Sequence, residues 1–141
     1  MEMKILILCT GNSCRSQMAE GFLKSLDITL DVFSAGTVPA TKISSKAVKV
    51  MNEVRIDITN QYPKSVDQFI NDDFDYVITV CDNAKETCPV FTGKVKHRLH
   101  IGFEDPYTFT GNEEETMNKY REVRDFIMEE FKEFYKHYIK V

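Results

Sequence analysis

Lys4-Ile5-Leu6-Ile7-Leu8-Cys9-Thr10-Gly11-Asn12-Ser13-Cys14-Arg15-Ser16 is the stretch from which the rest of the chain is read. Lys4 to Leu8 is an apolar run of strand length and predicts a buried strand. From Arg15 to Leu26, Met18, Phe22, Leu23 and Leu26 fall at helical spacing, so a helix follows. The loop between them holds Gly11, which permits a positive φ, and Asn12, which tolerates one better than most residues. Such a loop can turn its N–H groups inward over a helix N-terminus and cradle an anion. The same field favours a thiolate at Cys9. Arg15 offers a planar fork that binds two oxygens side by side, and Ser16 can donate a hydrogen bond to the sulfur. The loop is no nucleotide P-loop, because it lacks the G-x4-G-K-[ST] spacing. The plain alternative is a glycine turn beside a buried cysteine. The strand-loop-helix context and the flanking serines favour a nucleophile.

Outward from this segment, apolar runs alternate with helical patterns. Leu30 to Ser34 predicts a second strand, stopped by Ala35-Gly36. Ser44 to Val54 predicts a helix capped by Ser44, with Ala47, Val48, Met51 and Val54 on one face. Val66 to Ile70 predicts a short helix, Tyr76 to Val80 a third strand and His100 to Phe103 a weaker fourth. Glu113 to Tyr138 predicts a long helix with Met117, Tyr120, Val123, Phe126, Ile127, Phe131 and Phe134 inward. Its acidic start and lysine-rich end suit the helix dipole. The alternation implies one α/β domain over residues 1–141, with a four-stranded parallel sheet covered by helices. Sites in such sheets form beyond the carboxyl ends of the strands. Cys9, Cys81 and Asp105 each follow a strand, so all three belong at one edge. Asp105-Pro106 is either a general acid held by the proline or a turn cap.

The net charge of −4 argues against a nucleic-acid partner. It also means that an anionic substrate needs a local positive site. No apolar run reaches the roughly 18 residues of a membrane span, and no signal peptide is read, so a cytoplasmic protein is expected. In that compartment four cysteines are reduced thiols rather than a disulfide frame. Two of them, Cys81 and Cys88, are either redox groups or small buried hydrophobes. A zinc site is not expected, because C-x4-C and C-x6-C fit ordinary zinc spacings poorly.

On these residues the chain resembles the low-molecular-weight protein tyrosine phosphatase fold, whose active-site loop Cys9 to Ser16 looks like. Within that fold, the run from Cys9 to Gly21 closely resembles the thioredoxin-coupled arsenate reductases. Ser34-Ala35-Gly36, Ile56-Asp57-Ile58, Cys81, Cys88-Pro89, Gly102-Phe103 and Asp105-Pro106 fit as well. The resemblance implies a three-layer α/β/α fold with Cys9 as nucleophile and Asp105 as general acid. Thr10, Gly11, Asn12, Ser13, Cys14, Arg15 and Ser16 would hold arsenate or a phosphate-like oxyanion. It further implies a relay in which a Cys9–Cys81 disulfide passes to Cys81–Cys88, which thioredoxin reduces, with no tightly bound cofactor. Cys14 has no relay role. The alternative is a phosphatase that hydrolyses phosphomonoesters through a phosphocysteine. Tyr107 favours it, and the Cys81/Cys88 pair speaks against it. A non-catalytic anion or arsenic sensor that binds through Cys9 is a third reading, and the intact Arg15 and Asp105 speak against it, since a sensor needs no acid. Reductases of this type often hold potassium, here near Asn12 and Glu20. Tyr62-Pro63-Lys64 stands where they carry Thr-Ser-Asp, so the Lys64 ammonium is a candidate replacement. Seven helical steps would separate the α-carbons of Cys81 and Cys88 by about 10 Å. A disulfide accepts only about 4.4–6.8 Å. If Asp82 to Thr87 is helical when reduced, it must unwind on oxidation. Asp82, Glu104, His97 and His100 are expected at the surface.

Overall fold

The computed structural model describes residues 3–140. Four strands, β1 (Lys4–Cys9), β2 (Asp31–Gly36), β3 (Phe74–Thr79) and β4 (Val95–His100), form one sheet in the order β2-β1-β3-β4. Every pairing is parallel. The helices are α1 (Arg15–Leu26), α2 (Ser45–Glu53), α3 (Asp82–Thr87) and α4 (Glu113–Phe134). Ile5, Leu6, Ile7 and Leu8 are all fully buried. Successive residues of a strand face opposite ways, so both faces of β1 are covered, as a central parallel strand requires. The expected α/β class and four-stranded parallel sheet are therefore met.

The boundaries differ from expectation in several places, among them β3, which starts at Phe74 rather than Tyr76 and ends at Thr79 rather than Val80. Ala35 and Gly36 do not stop β2 but stay in its ladder, opposite Leu8 and Cys9. A Cβ on Gly36 would lie 2.5 Å from the Thr10 carbonyl oxygen, so the glycine serves close approach rather than a turn. The fourth strand runs from Val95 to His100, ahead of the expected His100 to Phe103. Lys96, His97 and Arg98 hid it, because an edge strand tolerates charge and loses the apolar pattern. Val66 to Gln68 forms a single 3-10 turn. The last helix is regular to Phe134 and closes in a π turn, Tyr135 to Ile139.

Helices α1, α2 and α4 pack against one another, and α1 lies on β1 and β2. Tyr120, Val123, Ile127, Phe131 and Phe134 form the buried stripe of α4. Phe126, expected inward, is 58% exposed, since its position falls off that stripe. Arg124 takes a buried place instead. Its guanidinium donates to the Val50 carbonyl at 2.9 Å and to Glu53 at 2.8 Å. Arg121 and Arg124 hold the Glu53 carboxyl down to about 2. This tie fixes α2 against α4, and with it Ser44, whose side chain caps α2 through the Ala47 N–H as expected.

Candidate active site

The carbonyls of the loop explain its shape. Those of Cys9, Thr10, Gly11 and Ser13 accept N–H groups of Thr37, Val38, Ala40 and Ser44 at 2.8–3.2 Å. The Asn12 carbonyl takes the Gln17 side chain, and the Cys14 carbonyl takes the Met18 N–H. In a planar trans peptide the N–H points opposite to the carbonyl before it. With the carbonyls drawn outward, the N–H groups from Gly11 to Arg15 turn inward, and none has an acceptor among the described residues. Such a ring of free donors is an anion nest.

Asn12, not Gly11, takes the left-handed conformation, with φ 54°. The strain is tolerated because the Asn12 side chain is locked. It donates to Ser16 at 2.7 Å and Ser34 at 2.9 Å, and it accepts the Lys64 N–H at 2.9 Å. Ser34 donates to Glu20 at 2.6 Å, and the Glu20 carboxylate meets the Lys24 ammonium at 2.5 Å. Asn12, Glu20 and Ser34 thus support the loop from behind. Ser16 belongs to this support and does not form the expected bond to the Cys9 sulfur. The Asn12 oxygen accepts the Lys64 N–H, and the Glu20 carboxylate pairs with Lys24. Lys24 makes the direct ion pair with Glu20, while the Lys64 ammonium donates to the Tyr62 carbonyl and interacts with Glu20 through charge alone.

Arg15 is held by the Phe103 carbonyl at 3.0 Å and pairs with Asp105 at 3.4 Å. Asp105 is the turn cap in geometry, and it lines the cleft. One oxygen caps the Tyr107 N–H at 3.0 Å, and the other faces Arg15. Cys9, Arg15, Asp105 and the loop open into one cleft of about 690 Å³, with Tyr107 on its rim and Cys14 in its lining. Burial pushes the Cys14 thiol up to about 12. Asp82, Glu104 and His97 lie at the surface as expected, while His100 is half-buried and bonds Thr79 and Asp82.

Cys9 and Cys81 are both buried, Cys9 at the end of β1 and Cys81 at the N-cap of α3. The Cys81 sulfur lies 3.2 Å from the Thr10 hydroxyl and accepts the Ala84 N–H at 3.4 Å. The two thiols titrate against each other. A hydrogen bond from the Cys9 thiol lowers Cys81, helped by Thr10, Ala84 and Arg15. The bond to Cys81 and burial raise Cys9 against the pull of Arg15. The loop field was expected to lower Cys9, and its neighbour reverses that. Cys81→Ser removes the competing charge, so the Cys9 titration should move to lower pH. The pH profile of Cys9 alkylation measures this; an unchanged or higher midpoint would contradict it. Cys88 caps the other end of α3, half-buried and outside the cleft. Burial raises it, while Arg98 lowers it.

Residues 4–140 match the family described as low molecular weight phosphotyrosine protein phosphatase. The chain belongs to this family. It is 48% identical over 133 residues to an arsenate reductase of Oceanobacillus iheyensis, covering 94% of each chain. A solved arsenate reductase in a phosphate-binding state superposes with a TM-score of 0.79 at 31% identity, covering 94% of this chain and 95% of the other. A thioredoxin-dependent arsenate reductase of Corynebacterium glutamicum superposes at 0.63 with 28% identity, covering 94% of this chain and 61% of that one. In phosphatase-family terms the loop, Arg15 and Asp105 form one cleft, and Cys81 and Cys88 are additions beside it. Sequence reasoning missed Lys24, which pairs with Glu20 one turn away on α1, and Gln17 and Gln61, of which Gln17 bonds the Asn12 carbonyl and Gln61 bonds Gln17. It also passed over Ser44, Lys42, Lys46 and Tyr120, which line the cleft.

Proposed function

We propose that this chain reduces arsenate to arsenite, and that the thiol of Cys81 set against Cys9 carries the reading. A phosphatase of this fold needs a nucleophile, an anion nest and an acid; it has no use for a second activated thiol. The named relatives support the substrate. Arsenate enters the nest and is gripped by Arg15. The Cys9 sulfur attacks arsenic, and one oxygen leaves as water with a proton from Asp105. Cys81 then attacks the Cys9 sulfur. The S–As electron pair stays on arsenic, which falls from the +5 to the +3 state, and arsenite departs. Cys88 attacks Cys81, frees Cys9 and leaves a Cys81–Cys88 disulfide. A dithiol protein of the thioredoxin class returns both sulfurs to thiols, and the cytoplasm is where such a donor is at hand.

Helix α3 is suited to the transfer. It spans six residues, with Ala84 its sole buried side chain, so unwinding it costs little. Hydrogen exchange over Asp82–Thr87 should quicken on oxidation; equal protection in both redox states would count against the relay.

The decisive assay follows NADPH consumption with arsenate, thioredoxin and thioredoxin reductase, with arsenite measured as product. Arsenate-dependent turnover supports the proposal, and its absence beside brisk aryl-phosphate hydrolysis would replace it with the phosphatase reading. That second reading rests on Tyr107, 82% exposed at the rim where an aryl group would lie. Asp105→Asn should slow arsenate turnover by about 10²-fold, the lower end of what a positioned acid supplies. A rate within threefold of the parent would return Asp105 to a mere turn cap.

A further inference from the structure

Two helix N-termini face the same cleft, and the mechanism uses only that of α1. Ser44, Ser45 and Lys46, at the start of α2, line the cleft beside the nest, where the Ser44 N–H donates to the Ser13 carbonyl. The first turn of α2 carries no acidic residue. Ser44 satisfies Ala47 through its side chain and Val48 through its carbonyl. The N–H groups of Ser45 and Lys46 have no acceptor among the described residues. Lys42 and Lys46 add two ammonium groups to the lining, neither in an ion pair among the described residues.

A second observation comes from α4. Tyr120 is 3% exposed and still belongs to the cleft lining. Its hydroxyl comes up beside Ser44, whose oxygen already serves Ala47. Thr37 Oγ1 is the one sealed side-chain polar atom without a partner among the described residues. The Tyr120 oxygen is therefore not shut in the interior but opens to the cleft. The one carboxylate in the lining, Asp105, is engaged by Arg15 and the Tyr107 N–H.

We propose that the α2 N-terminus, with Lys42, Lys46 and Tyr120, is a second anion subsite in the active-site cleft. Free helix N–H groups, unpaired ammonium groups and a phenol donor all favour negative charge. The cleft has room for it: about 690 Å³ lies in the range of sites for ligands far larger than one tetrahedral oxyanion, roughly 300–1,000 Å³. The ligand is an anionic oxygen group, supplied by a second free oxyanion or by the far end of a phosphomonoester whose phosphate sits in the nest. The inference rests on the nest as an oxyanion site, not on Cys81, Cys88 or thioredoxin.

Two measurements test it. In calorimetry the parent should bind two inorganic phosphates per chain, and the Lys42→Gln/Lys46→Gln variant one. The second readout is the ratio of kcat/KM for 4-carboxyphenyl phosphate to that for phenyl phosphate. It should be about tenfold in the parent, near one in the double lysine variant and intermediate in Tyr120→Phe. Two phosphates with a flat ratio support the subsite with a free oxyanion as its ligand. One phosphate with a raised, lysine-dependent ratio supports it with a tethered group. One phosphate and a flat ratio overturn it. Failure of arsenate reduction alone would leave both readouts standing.

Discussion

Cys81→Ser is expected to abolish arsenate-dependent NADPH oxidation while aryl-phosphate hydrolysis persists, and Cys88→Ser to do the same after a single turnover. The electron balance dictates the selectivity. Reducing arsenic from +5 to +3 takes two electrons, and one sulfur cannot give both while ending as a stable disulfide. Serine at position 81 preserves the cap on the Ala84 N–H but cannot attack the Cys9 sulfur. Serine at 88 leaves that first attack intact, so one equivalent of arsenite should form and the Cys9–Cys81 disulfide should accumulate. Peptide mapping of the trapped species reads this directly. Hydrolysis of an aryl phosphate uses Cys9, the nest and Asp105, so neither serine should remove it. Multiple turnovers of arsenate by either variant would end the relay.

Arg15→Lys is expected to lower kcat/KM about 10²–10³-fold for arsenate and aryl phosphate alike, the usual loss of an oxyanion donor in a dry site. Lysine keeps the charge and loses the fork. The guanidinium is anchored on the Phe103 carbonyl and faces Asp105, so its remaining N–H groups are aimed before substrate arrives. An ammonium on a flexible stem meets one oxygen at a time and must be ordered at the moment of binding. The fold should be unaffected, because Arg15 sits at the first turn of α1 and contributes to no part of the core. A drop confined to KM would mean that Arg15 binds ground state and transition state equally. A loss below threefold would mean that the nest amides suffice alone.

How much of this was legible beforehand depends on the range of the interactions. The loop from Cys9 to Arg15, the helix after it, the Ser44 cap and the buried β1 follow from neighbours in sequence, and the structure matches them. Convergence of Cys9, Cys81 and Asp105 at one sheet edge needed only the parallel order. Strand β4 escaped because an edge position frees its side chains from the core, which erases the pattern that reveals a strand. Phe126 was misplaced and Arg124 missed because hydrophobicity alone cannot say which residue of a broad helical stripe finds a partner.

The sequence by itself determined the loop, its helix, the parallel α/β plan and the set of thiols, since each is written in local spacing and residue chemistry. Only the tertiary structure decided how those parts are charged and aimed. It drew the loop carbonyls onto the 37–44 segment, so that the amides face inward. It gave Glu20 to Lys24, and it set Cys81 where its charge opposes that of Cys9. It also brought the α2 N-terminus and Tyr120 into the same cleft. These are contacts between distant positions, and the energies of hydrogen bonds and charges depend on distances that no one segment fixes.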